Sequence, residues 1–263
     1  DSSSVASQLK SGVKKIYSAD SAFAALKEDG SVITWGDKGN GGDSSSVASQ
    51  LKSGVKKIYS TVWAFAALKE DGSVITWGKS DYGGGSSAGA DHLKGGVKEI
   101  YSTDYAFAAL KEDGSVITWG NDDRGGDSSS VASQLKSEVK EIYSNGRAFA
   151  AVKEDGSVIT WGNDDRGGNS SSVAAHLKSG VKEIYSTDHA FAAMREDGSV
   201  ITWGNGDRGG DSSSVAAHLK SGVKEIYSNG RAFAAVKEDG SVITWGDEDS
   251  GGDSSSVAGQ LKR

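Results

Sequence analysis

The sequence predicts a mainly β fold: a six-bladed β-propeller built from three- to four-stranded antiparallel blades, each with one short helix. Three observations carry this. A unit of 42 residues recurs six times without linkers or insertions. Each unit holds three β-prone runs separated by short turn sequences. A unit of that size cannot bury its own apolar face, so the copies must stack, and units near this length with three or four strands fit propeller blades. An open superhelical array of the same units is the alternative architecture.

The elements follow in order from the first unit. Copies begin at Asp1, Asp43, Gly85, Asp127, Asn169 and Asp211, so the repeats are 1–42, 43–84, 85–126, 127–168, 169–210 and 211–252, read as a single domain; a partial seventh copy spans 253–263. The opening stretch DSSSVASQLKSG predicts the short helix. Asp1 or a following serine can cap it, Val5 and Leu9 share a face, and Gly12 can end it. Val13 to Ser18, Ala22 to Glu28 and Ser31 to Gly36 then read as strands, rich in β-branched and aromatic residues. Asp29-Gly30 between the second and third predicts a two-residue hairpin turn with φ > 0 at both positions. The tryptophans at 42-residue spacing (Trp35 to Trp245) and the phenylalanines (Phe23 to Phe233) are expected to pack between blades.

A six-membered ring has six places for seven copies of the DSSSVA segment. If the segment completes the preceding blade, residues 1–10 are left over; if it belongs to the following blade, the C-terminal copy is spare. The ring remains the favoured reading because closure covers two end faces that an open array leaves wet, with 253–263 closing it.

Composition excludes several functions. The chain has no cysteine, so disulfides and thiolate metal sites are out, and no proline, so Gly, Asp, Asn and Ser carry the turns. The net charge of −7, with both signs interspersed, argues against nucleic acid, which needs a concentrated basic face. No apolar run approaches the length of a membrane-spanning helix, so no membrane insertion is expected, and no signal peptide is visible.

Differences between the copies locate a candidate site. The KEDGS hairpin is constant apart from Arg195 in place of lysine. Two stretches vary: the three residues after the first strand (19–21 and equivalents) and the four after the third (37–40 and equivalents). In an antiparallel meander both lie at one end of the blade, opposite the constant turn. The expected binding face therefore carries Trp63, Tyr82, Tyr105, Arg147, His189 and Arg231, because function on rigid scaffolds concentrates on loops and aromatics beside arginine make binding hot spots. Harmless drift between copies is the competing reading.

Other groups carry less. Asp122, Asp123, Asp164, Asp165, Asp207, Asp247 and Asp249 could offer Ca²⁺ oxygen ligands, but Arg124, Arg166 and Arg208 beside them repel a cation, and solvated turn residues are the better reading. His92, His176 and His218 share one phase, one per copy, too far apart to share a metal. No nucleophile elbow or phosphate-binding glycine loop occurs, and sixfold identity suits no asymmetric catalytic constellation. No enzyme, cofactor or metal is expected.

The run VKEIYS…AFAALKEDGSVITWG…GG resembles the regulator-of-chromosome-condensation repeat. That family shows a V-x-x-I strand, a small-residue turn, an A-L-x-x-D-G hairpin and a V-x-x-W-G strand before a Gly-rich loop. The match covers residues 13–42 and their equivalents in all six units. Family units are usually longer, often number seven, and carry a proline-containing outer strand where this chain has DSSSVASQLKSG. The resemblance implies the propeller fold and a binding role; the exchange-factor activity of the family's founding member is not carried over. The expectation is a non-enzymatic, monomeric scaffold that binds a protein or glycan partner through its variable loops. The alternative is a structural repeat protein, engineered or recently amplified, with no specific ligand.

Overall fold

The computed structural model describes residues 2–85 and 91–257; residues 258–263 of the partial seventh copy, and Asp1, lie outside the described residues. The chain forms two compact units, Asp1–Ser137 and Glu138–Arg263, with three blades in each. No helix is long and apolar enough to cross a membrane.

Each blade is a three-stranded antiparallel meander. In blade one the strands are β1 (Val13–Ser18), β2 (Ala22–Lys27) and β3 (Val32–Gly36). Tyr17 pairs with Ala24, and Phe23 with Trp35. The same register recurs in every blade, including a bulge near the start of the first strand. No fourth strand joins any blade among the described residues. The lower bound of the expected three to four strands is the one realised.

The hairpin differs from the expected two-residue turn. Lys27 N–H donates to Ser31 C=O at 2.9 Å, and Gly30 N–H to Lys27 C=O at 3.0 Å, so the loop is one residue longer. Only Gly30 has positive φ, at 76°. Asp29 keeps an ordinary backbone because its carboxylate is used locally, accepting from the Ser31 N–H at 2.9 Å and the Ser31 hydroxyl at 2.6 Å. Those two bonds hold the Asp29 carboxyl below its ordinary value of 3.8. Gly30 also lies where a Cβ would meet the Gly54 backbone nitrogen at 2.8 Å, so glycine is needed for space as well as for φ.

The expected short helix is 3-10 in character: one turn of three residues, Ser45–Val47, in the second copy, and two, Ser129–Val131 and Gln134–Lys136, in the fourth. Serine side chains compete with backbone hydrogen bonding, and so short a segment cannot propagate an α-helix. Asp43 accepts from the Ser45 N–H at 2.9 Å, one residue earlier than a cap on the assigned N-cap Ser44. The segment serves the blades on both sides of it. It bonds back to blade one, where Val32 N–H donates to Leu51 C=O at 3.0 Å and the Thr34 and Ser44 hydroxyls lie 2.9 Å apart. It packs forward on the third strand of blade two. Both terminal copies use part of this pattern: Ser3–Val5 packs on β3, and the Thr244 and Ser254 hydroxyls lie 3.0 Å apart.

The core sits between successive blades. In the first unit one cluster joins Leu26, Leu51, Val55, Ile58, Phe65 and Trp77; in the second unit Met194, Leu219, Ile226, Phe233 and Trp245 do the same. Phe65 stacks on Trp77 at 5.3 Å, and the Trp77 indole N–H donates to Gly41 C=O of the preceding copy at 3.1 Å. Gly41 has φ 100°, and a Cβ there would lie 2.7 Å from the Phe65 ring. One glycine thus satisfies a left-handed turn and a close approach at once. The expected packing of the repeated aromatics holds for Phe65, Phe107, Phe191 and Phe233, all nearly inaccessible. It does not hold for Phe23, which is 43% exposed, since among the described residues no glycine loop lies against its ring; Ile16 on the adjacent strand is likewise 54% exposed.

Candidate functional site

The antiparallel register puts both variable stretches at the same end of a blade. Asp37 N–H donates to Ser21 C=O at 2.8 Å, tying the stretch after β3 to the stretch after β1. Backbone bonds also link the first stretches of neighbouring blades. Asp20 N–H donates to Val62 C=O and Val62 N–H to Asp104 C=O, each at 3.0 Å; in the second unit Asp188 N–H donates to Gly230 C=O at 3.1 Å.

One variable position proves to be a clamp. Thr61, Thr103, Asn145 and Thr187 are buried. Each accepts from a backbone N–H two or three residues on and donates to the carbonyl that ends the second stretch: Thr61 to Tyr82 C=O at 2.9 Å, Asn145 to Arg166 C=O at 2.6 Å, Thr187 to Arg208 C=O at 3.0 Å. Thr and Asn exchange here because both offer an acceptor and a donor. The variation is chemically bounded at this position.

Several of the remaining variable residues lie side by side within each unit. In the first unit, Trp63 and Tyr82 of blade two lie 4.4 Å apart, and Tyr82 lies 5.1 Å from Tyr105 of blade three. Arg124 lies 3.9 Å from the centre of the Tyr105 ring, and Lys79 4.2 Å from that of Trp63. All three aromatics are half-buried. Residue types known for hot spots are therefore stacked side by side and flanked by cations.

In the second unit the file is cationic. His189 is only 8% exposed, and the Arg166 and Arg208 guanidinium groups press on its two ring nitrogens, Nδ1 and Nε2 respectively. Burial pulls the Arg166 pKa below its ordinary value, and the charges of Arg147 and Arg208 add to the effect; Asp188 and Asp165 oppose it. Arg147 is half-buried and Arg231 exposed, at the positions equivalent to His189 in blades four and six.

The six residues singled out from sequence thus fall into two groups: Trp63, Tyr82 and Tyr105 in direct contact in the first unit, and Arg147, His189 and Arg231 at equivalent loop positions in the second. Lys79, Arg124, Arg166 and Arg208 were missed as site residues. All four lie in the second variable stretch, and the recurrence of arginine at one phase in three successive copies was the available signal. A further group went unnoticed on the first strands of the first unit. Lys57 and Tyr59 both bond the Glu99 carboxylate, the lysine at 2.5 Å, and this follows from the change of lysine to glutamate at that strand position between copies. The Asp-rich stretches gather no metal set: among the described residues no group of three or more candidate ligands comes together.

No family model matches the chain. No curated protein matches it either. Solved structures do. Yeast RCC1 (Prp20), solved with Kap60 bound, matches with a TM-score of 0.51 at 18% identity, covering 92% of this chain and 71% of that one. Human WBSCR16 matches with a TM-score of 0.51 at 15% identity, covering 88% and 76%. The likeness is one of fold: the chain is a mainly β protein of six propeller blades, of the kind seen in RCC1-like proteins.

Proposed function

We propose that this chain is a non-enzymatic repeat scaffold that takes up a protein partner on the variable-loop face, with Trp63, Tyr82 and Tyr105 as the anchor. The observation that carries the reading is the stacked aromatic file itself. Three large rings sit on loops held by backbone bonds and buried Thr clamps, so little side-chain entropy remains to be lost on binding. Rings of this kind desolvate large area, and the flanking Lys79 and Arg124 supply polar contacts at the rim. The fold-related yeast RCC1 was solved as a protein complex, which suits a propeller used as a docking surface.

A displayed random-peptide library panned on the immobilised chain tests this. Enriched peptides should bind the parent at least tenfold more tightly than a Trp63→Ala/Tyr105→Ala variant that still melts cooperatively. A library that enriches nothing, or peptides indifferent to the two substitutions, would sink the proposal and favour a structural repeat protein without a ligand.

A further inference from the structure

The loop face of the second unit poses a separate problem in charge. The His189 ring is more than nine-tenths buried and has a guanidinium against each nitrogen. A neutral imidazole has one lone pair and one N–H, and a protonated one has no lone pair at all. At least one of the two arginines therefore points a donor at a donor. Arg166 Nη1 finds a second acceptor in the Asp188 carbonyl at 3.3 Å. Among the described residues neither Arg166 nor Arg208 forms a salt bridge with a carboxylate. The nearby Asp165 and Asp188 carboxylates compensate Arg166 only at a distance. The residues are held there by the fold: Thr187 fixes the backbone of His189 and clamps the carbonyl of Arg208, and Asn145 clamps that of Arg166.

We propose that the row Arg147, Arg166, His189, Arg208 and Arg231 is a docking site for an acidic peptide segment, whose carboxylate side chains enter on either side of the His189 ring and accept from the two guanidinium forks. The proposal rests on reading the loop face as the binding face. A carboxylate fits the planar guanidinium in bidentate fashion and removes the donor-to-donor contact at the histidine. A peptide is favoured over a denser polyanion because Asp164, Asp165, Asp188 and Asp207 are interspersed with the row and the chain as a whole carries −7. Those carboxylates repel a sulfated sugar or a phosphate backbone more than a segment with spaced charges. The row also places a cationic recognition element in the second unit, chemically unlike the aromatic file of the first.

A fluorescein-labelled glutamate octapeptide, titrated by anisotropy into the full chain at low salt, is the direct test. Binding is expected, weakening at least tenfold in 0.5 M NaCl because exposed charge pairs are screened. Arg166→Gln/Arg208→Gln should lose at least tenfold in affinity with an unchanged melting temperature, and Arg166→Lys/Arg208→Lys should fall between. The His189 imidazole NMR signals should shift on titration of the parent, a response that general charge attraction would not produce. Trp63→Ala/Tyr105→Ala should bind the octapeptide like the parent, so failure of the aromatic anchor and failure of this site give different results. Equal binding by the Gln pair overturns the assignment, as does an unmoved His189 signal. A heparin-derived oligosaccharide that binds the row more tightly than the peptide overturns the choice of ligand.

Discussion

At the level of single residues, the exceptions to the repeat say most about what the repeat requires. The residue before each first strand is glycine in five copies, with φ close to 70° (Gly12 at 71°, Gly54 at 74°). The fourth copy has Glu138, held at φ 65°, the one non-glycine residue at positive φ among the described residues. A left-handed L-residue carries a strain of about 1–2 kcal/mol, against roughly 0.5–1 kcal/mol of extra chain entropy that glycine loses on folding. The Glu138 carboxylate recovers part of the difference by pairing with Lys153 at 3.0 Å, yet it is 68% exposed and the pair is worth little in water. Glu138→Gly is therefore expected to stabilise the protein slightly, by about 0.5 kcal/mol, read as a rise in the urea midpoint with an unchanged slope. A fall in the midpoint would mean that the Lys153 pair outweighs the backbone strain.

Among the elements, the loops are positioned by side chains that look like drift. Thr187 is 3% exposed; its hydroxyl accepts from the Ala190 N–H at 3.0 Å and donates to the Arg208 carbonyl at 3.0 Å. Thr187→Val keeps the shape and leaves a buried N–H and a carbonyl unpaired, which costs about 1–3 kcal/mol. The loss should appear in thermal unfolding, together with faster amide exchange at Ala190. Thr187→Asn should restore both, since asparagine serves at the same position in Asn145 and Asn229. This clamp marks where the sequence became hard to read. The strands, their order and the end of the blade that varies were legible, because hydrophobic patterning and the constant KEDGS turn have local causes. The hairpin length was not, because it turns on whether Asp29 spends its carboxylate on Ser31, a choice that Asp-Gly alone does not reveal. The 3-10 turn is not distinguishable from a fuller helix by spacing, because Val5 and Leu9 fit a helical face equally well. The contact of Tyr82 with Tyr105 depends on how neighbouring blades abut, and that of Tyr82 with Trp63 on how the two loops of one blade fold against each other, neither of which repeat phase specifies.

Across the whole molecule, each hydrophobic cluster among the described residues draws on two neighbouring blades of one unit. In such an arrangement stability approximates a sum of nearest-neighbour terms. The same substitution should then have different consequences at positions that are chemically identical in the repeat. Phe107 is fully buried, stacks on Trp119 at 5.2 Å and lies against the Gly83 loop of the preceding copy. Phe23 stacks on Trp35 at nearly the same distance, 5.3 Å, but is 43% exposed, with no such loop against it among the described residues. Phe107→Ala removes a ring from a filled interface and should cost about 3–5 kcal/mol, the usual range for a core aromatic. Phe23→Ala gives up only the buried part of its ring and leaves no enclosed cavity, so about half that or less is expected. Chemical denaturation of the two variants, side by side, reads the difference directly. Equal losses would mean that Phe23 is covered in solution by a surface equivalent to the Gly83 loop, and the face of blade one would then count as an interface in use.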